Sequence, residues 1–85
     1  MPVIEIYTTP WCGYCAAAKR LLKSKGAQFT EFNVEADPER RAEMLRRAAG
    51  RRTVPQIFIG DRHIGGSDDL HLLDREGGLD PLLRG

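Results

Sequence analysis

The chain predicts an α/β domain built on a small mixed sheet, and three observations carry that reading. Short β-branched runs alternate with stretches of helical period. The order is strand, helix, strand, helix, two close strands, helix, and the junctions are marked by turn or capping residues. The opening strand–helix–strand implies a parallel pair with a right-handed crossover, and the late pair of strands adds antiparallel pairing. Eighty-five residues leave room for one domain, 1–85. Its core is small, since a chain of this size buries only about 60–65% of the surface it exposes when unfolded.

Val3-Ile4-Glu5-Ile6-Tyr7 is apolar and β-branched, short enough for a buried strand, and "TTP" breaks it. Tyr14, Ala18, Leu21, Leu22 and Lys25 then recur at helical spacing, with Gly26 at the expected C-terminal cap. Phe29 to Val34 reads as the second strand, with Phe29 out of phase. Asp37-Pro38-Glu39 opens the second helix with a capping acid, a first-turn proline and a further acid near the positive end. Ala42, Leu45 and Ala49 form its expected apolar face, and Gly50 stops it. Val54 to Ile59 is the third strand, Gly60-Asp61 the turn, and Arg62 to Ile64 the fourth strand. After Gly65-Gly66, Ser67 is expected to cap a last main helix bearing Leu70, Leu72 and Leu73. Gly77-Gly78 end it, and Asp80 to Leu83 add a closing turn.

Apolar content of 41% and charged content of 29% fit a soluble globular domain. A formal charge of +1 offers no general attraction to nucleic acid or membranes, and neither is expected as a partner. The apolar runs are too short for a membrane span, and the N-terminus does not read as a signal peptide. The expected compartment is therefore the reducing cytoplasm, where structural disulfides are rare. Arg46-Arg47 and Arg51-Arg52 are the basic clusters worth weighing.

Both cysteines lie in "TPWCGYC", where strand one gives way to helix one. Two thiols at this spacing can be a structural disulfide, half a metal site or a redox couple. A disulfide closing so short a loop restrains little of the unfolded chain. Zinc needs four ligands, and beyond Cys12 and Cys15 the chain has only His63 and His71, eight residues apart and outside the usual ligand spacing. The redox reading uses the placement itself. Cys12 falls at the helix terminus, whose unpaired N–H groups favour a thiolate, and Cys15 lies one turn on, within reach to attack it. Val54-Pro55 is the second feature: a strand start or edge position, or a turn presenting backbone groups beside the thiols.

In this order and within this length, "YTTPWCGYC", "RTVPQIFIG" and "HIGGSDDL", with the closing "GGLDPLL", resemble the glutaredoxins, particularly the small bacterial dithiol type. The resemblance implies a thioredoxin fold, a four-stranded mixed sheet flanked by helices. It implies a glutathione-dependent oxidoreductase in which Cys12 attacks a disulfide or glutathionylated sulfur and Cys15 resolves protein disulfides. Pro55 becomes the cis-proline facing the pair, with Val54 offering its backbone to glutathione and Thr53 in the same segment. Gly66, Ser67 and Asp68 match the segment that holds the γ-glutamyl end, and Tyr14 the aromatic lining the groove. Arg52, beside "TVP", is a candidate for a glutathione carboxylate. The implied partners are glutathione, disulfide-bonded or glutathionylated proteins and, indirectly, glutathione reductase with NADPH.

Two departures from the family pattern stand out. Thr9 occupies the place where a lysine is common, and Lys19 and Arg20, one to two turns along helix one, are not expected to reach the site. Cys12 is therefore expected to be acidic mainly through the helix terminus. Gly13 replaces the usual proline and restores an N–H, which is expected to be available to the Cys12 thiolate. Relatives without that proline include proteins that bind a [2Fe–2S] cluster between two protomers, each giving one cysteine, with two glutathiones supplying the other thiols. A monomer is expected, with a dimer and Cys12 as cluster ligand as the alternative. A third alternative, reduction by thioredoxin reductase, fits less well, because "IGGSDD" replaces the segment such relatives carry.

Overall fold

The computed structural model describes residues 2–85. Its elements are β1 (Ile4–Thr8), α1 (Gly13–Ser24), β2 (Thr30–Asn33), α2 (Pro38–Arg47), β3 (Gln56–Ile59), β4 (Arg62–Gly65), α3 (Ser67–Arg75) and α4 (Leu79–Arg84). The sheet order is β2-β1-β3-β4. β1 and β2 are parallel, with Ile6 beside Glu31 and Thr8 beside Asn33. β1 and β3 are antiparallel, as are β3 and β4. This four-stranded mixed sheet with flanking helices is the thioredoxin fold that the motifs implied.

Strand alternation divides the core. Ile4, Ile6, Ile57 and Ile59 point to one face, where Ala18 and Leu22 of α1, Leu70 of α3, and Leu79 and Leu83 of α4 cover them. Tyr7 and Phe58 point to the other face, against Val34, Met44 and Ala48. Helix ends follow local chemistry. Asp37 caps α2 through Oδ1, accepting from the N–H groups of Glu39 and Arg40 at 3.1 and 3.2 Å. α1 ends where Gly26, at φ 72°, lets its own N–H and that of Ala27 bond back to the carbonyls of Lys23 and Leu22.

Several expectations are corrected. The third strand begins at Gln56, not Val54, because Pro55 has no N–H for the ladder. In α1 the buried stripe runs through Cys15, Ala18 and Leu22, one position out of phase with Tyr14, which is 67% exposed. In α2 the inward residues are Met44 and Ala48, while Ala42 and Ala49 face solvent. Leu72 of α3 is exposed as well. The cap of α3 is Gly66, and Ser67 is its first helical residue.

Candidate active site

The turn Thr9–Trp11 carries the chain from β1 into α1, with Trp11 in the left-handed region at φ 62°. Cys12 is the N-cap, in extended conformation, and its Sγ accepts the Cys15 N–H at 3.2 Å. The cap therefore uses the third helical N–H, as cap side chains commonly do. This corrects the expectation for Gly13, whose N–H lies in the first position and is not the donor to Cys12. The Cys12 thiol in turn donates to the Val54 carbonyl at 3.9 Å, joining the thiol to the Val54–Pro55 segment. That peptide bond is cis.

The two thiols, both free, differ sharply in their surroundings. Cys12 is half-buried, whereas Cys15 is 1% exposed. Burial pushes the Cys15 thiol up to about 12, its contact with Cys12 adds to the rise, and the Thr9 backbone opposes it. Cys15 is consequently a protonated thiol at neutral pH.

From the Val54 carbonyl a groove of about 450 Å³ runs between Tyr14 and the start of α3. The structure brings Tyr14, Thr53, Val54, Pro55, Gly66, Ser67 and Asp68 together along it. Arg52 does not line it; Arg51 does. Arg51 Nη2 reaches Asp69 Oδ2 at 3.3 Å, and the same oxygen accepts the Gly66 N–H at 2.8 Å. These contacts, the Gly66 bond foremost, hold the Asp69 carboxyl below its usual range. Gly65 makes the arrangement possible: its φ is 115°, and a Cβ there would sit 2.3 Å from Asp69 Oδ2.

Beneath the groove, buried Gln56 donates through Nε2 to the Thr53 carbonyl at 2.9 Å and to its hydroxyl at 3.2 Å. Its Oε1 accepts from His63 Nε2 at 2.7 Å. Sequence reasoning weighed His63 only as a metal ligand; here it braces the Thr53 segment through Gln56 and stacks on Phe58 at 4.8 Å. His71 is turned onto the Ser67 carbonyl of its own helix at 2.7 Å. Among the described residues no three His, Cys, Asp or Glu side chains gather as a metal site. Arg51, Asp69, Gln56 and His63 were missed as site residues, although an acid three places after Gly66 was a readable capping signal.

On the other side of the thiols lies a second cavity of about 440 Å³, lined by Thr8, Cys12, Cys15, Lys19 and Glu31 among others. Lys19 therefore does reach the cysteines' surroundings, from the side opposite the groove.

A family model described as Glutaredoxin matches residues 4–64. The chain belongs to the glutaredoxin family. It is 57% identical to the glutaredoxin of Pseudomonas aeruginosa over 83 residues, covering 98% of each chain. It is 55% identical to glutaredoxin 3 of Escherichia coli K12 over 84 residues, covering 99% of this chain and all of that one. The solution structure of glutaredoxin from Brucella melitensis superposes with a TM-score of 0.84 at 58% identity, covering 98% of this chain and 89% of that one. A buckwheat glutaredoxin–glutathione complex reaches 0.87 at 32% identity, covering 98% and 77%. As a glutaredoxin, the chain is a thiol–disulfide oxidoreductase. No helix among the described residues is long and apolar enough to cross a membrane.

Proposed function

We propose that residues 1–85 act as one unit that reduces protein disulfides and glutathione mixed disulfides at the expense of glutathione, in the cytoplasm. The observation that carries this reading is the groove that starts where the Cys12 thiol meets the Val54 carbonyl and ends at the N-terminus of α3. An extended tripeptide thiol fits such a groove chemically. Val54 presents backbone polar groups to it as an edge strand would. The N–H groups opening α3 suit a carboxylate, Asp68 an ammonium, and Arg51, rather than Arg52, a second carboxylate. The glutathione complex of the buckwheat relative supports the same reading.

Cys12 attacks the substrate sulfur and forms a mixed disulfide. Glutathione thiolate releases it again, or Cys15 does so by closing the Cys12–Cys15 disulfide, which two glutathiones then reduce. Oxidised glutathione returns through glutathione reductase and NADPH. In a glutathione-coupled assay, Cys12→Ser is expected to abolish turnover, and Cys15→Ser to keep deglutathionylation while losing dithiol reduction of proteins. Arg51→Ala should raise KM for glutathione several-fold, with Arg52→Ala close to wild type. Turnover of a glutathione mixed disulfide by Cys12→Ser would overturn the assignment.

The second reading, a [2Fe–2S] cluster shared by two protomers, draws on Gly13, which is exposed and has nothing within 4 Å of where a Cβ would sit. One chain does not fit a cluster by itself, since Cys15 is buried and Cys12 is the accessible sulfur. An absorption spectrum after anaerobic reconstitution with iron, sulfide and glutathione decides it: a brown dimer supports the cluster, and a colourless monomer rejects it.

A further inference from the structure

The cavity opposite the groove holds a charged pair that the reading above leaves unused. Cys15 and Lys19 are four residues apart on α1, so their side chains leave the same face, with Cβ atoms about 5–6 Å apart. Lys19 Nζ is 3.0 Å from Glu31 Oε2. The same oxygen accepts the hydroxyl of buried Thr8 at 2.6 Å. The parallel register of β1 and β2 fixes this arrangement, because it sets Glu31 beside Ile6, two residues before Thr8 on the same strand. Cys12, Cys15, Lys19, Glu31 and Thr8 all line one cavity.

We propose that Lys19 is the electrostatic partner of Cys15 in the second thiol–disulfide exchange, with Glu31 as the positioning residue that both holds and moderates it. The proposal rests on the dithiol reading given above. In that step the Cys15 thiol gives its proton to water, and the thiolate attacks Cys12 Sγ of the mixed disulfide. The Cys12–Cys15 bond forms, the bond to the client sulfur breaks, and the client leaves as a thiolate that takes up a proton. The enzyme's two thiols are oxidised as the client disulfide is reduced, so no further reactant is needed.

The need for a nearby cation follows from burial: Cys15 is almost wholly shielded from solvent, and a thiolate formed there has little water to stabilise it. Lys19 is the cation that acts on it, in the sense that favours the thiolate. The Thr8 hydroxyl and then Lys19 keep the Glu31 carboxyl below its usual range, and Lys23, one turn further along α1, adds to this. Glu31 thus stays ionised throughout the working range. From α3, His71 is occupied by Ser67, and Asp68 faces the groove.

The test is single-turnover reaction with 5,5′-dithiobis(2-nitrobenzoate), without glutathione. Cys12 releases the first thionitrobenzoate, and attack by Cys15 on the resulting mixed disulfide releases the second. Lys19→Met should slow the second release about fivefold at pH 7 and move its pH profile to higher pH, less than the tenfold of one full pKa unit because Lys19 is partly solvated. Glu31→Gln, which keeps an acceptor for Thr8, should speed the second release about two- to threefold and move the profile to lower pH, since a like charge near the thiolate is gone. Lys19→Arg should stay near wild type, and the first release should change less than about twofold in every variant. A purely structural ion pair would make Lys19→Met and Glu31→Gln err in the same direction. That outcome, or an unchanged second release in Lys19→Met, overturns the proposal. Correct behaviour here with no glutathione-coupled turnover would sink the glutathione reading and leave this one standing.

Discussion

On one face of the sheet, Ile4, Ile6, Ile57 and Ile59 meet the leucines and alanines of three helices, and the buried contact is aliphatic, with Phe29 at its margin. On the other, one helix covers Tyr7, Phe32 and Phe58 with Met44 and Leu45 and, beside them, with arginines. The Arg47 guanidinium lies 4.0 Å over Phe58, 2.8 Å from the Tyr7 hydroxyl and 3.0 Å from Glu5. Arg40 lies 4.0 Å over Phe32 and bonds Glu43, which also accepts the Tyr7 hydroxyl. Where several helices converge, apolar burial closes a face. Where only α2 is available, cation stems and stacked guanidinium planes complete the cover. Cys15 shares the buried stripe of α1 with Ala18 and Leu22 of the aliphatic side, and burial, with its contact to Cys12, makes its thiol hard to ionise.

The contrast can be broken most severely at Leu22, fully buried in the aliphatic cluster. Leu22→Ala should cost about 3 kcal/mol in urea unfolding followed by circular dichroism. Arg47→Ala should cost about 2 kcal/mol, and Arg47→Met less, because methionine keeps a stem over Phe58. Salt sharpens the distinction. In 1 M salt the screening length is about 3 Å, so part of the Arg47→Ala cost should vanish while that of Leu22→Ala does not. Equal salt sensitivity of the two would refute the comparison.

The smallest expected effect concerns pH. Burial, then the Arg51 charge, holds His63 below its ordinary range, with Arg47 adding to this and Asp69 opposing it. The native state thus favours the neutral ring. Its contribution to stability is complete above the unfolded value, about 6.5, and is lost as pH falls through the lower native one. Stability should therefore decline on the acid side of about pH 6.5. His63→Gln, which offers Gln56 a donor without titrating, should flatten that decline. An unchanged slope would dissociate His63 from it.

The same contrast explains what could be read in advance. Strand order, helix order, the Asp37 and Gly26 caps and the cysteine pair were legible because each is a local pattern: alternation, a capping acid, a glycine at positive φ, a thiol at a helix start. Of the expected apolar face of α2, Leu45 does pack on the core but Ala42 and Ala49 do not, since two stripes of helical spacing are open to the sequence and only packing on Tyr7 and Phe58 selects Met44 and Ala48. Arg51 and Arg52 are neighbours with similar chemistry, and only the path of the chain after α2 turns Arg51 toward Asp69. Lys19 was passed over because the helix was measured from its thiol end, whereas β2 brings Glu31 to it from the side. The Gln56–His63 brace joins residues whose contact depends on the β3–β4 pairing.

Trp11 is the sole tryptophan and stands fully in solvent, one residue before Cys12. Its indole emission should already resemble that of free tryptophan in the folded protein, so unfolding will barely move it. What it will register is the arrival of a ligand or client at Cys12, which makes it a built-in reporter of occupancy rather than of stability.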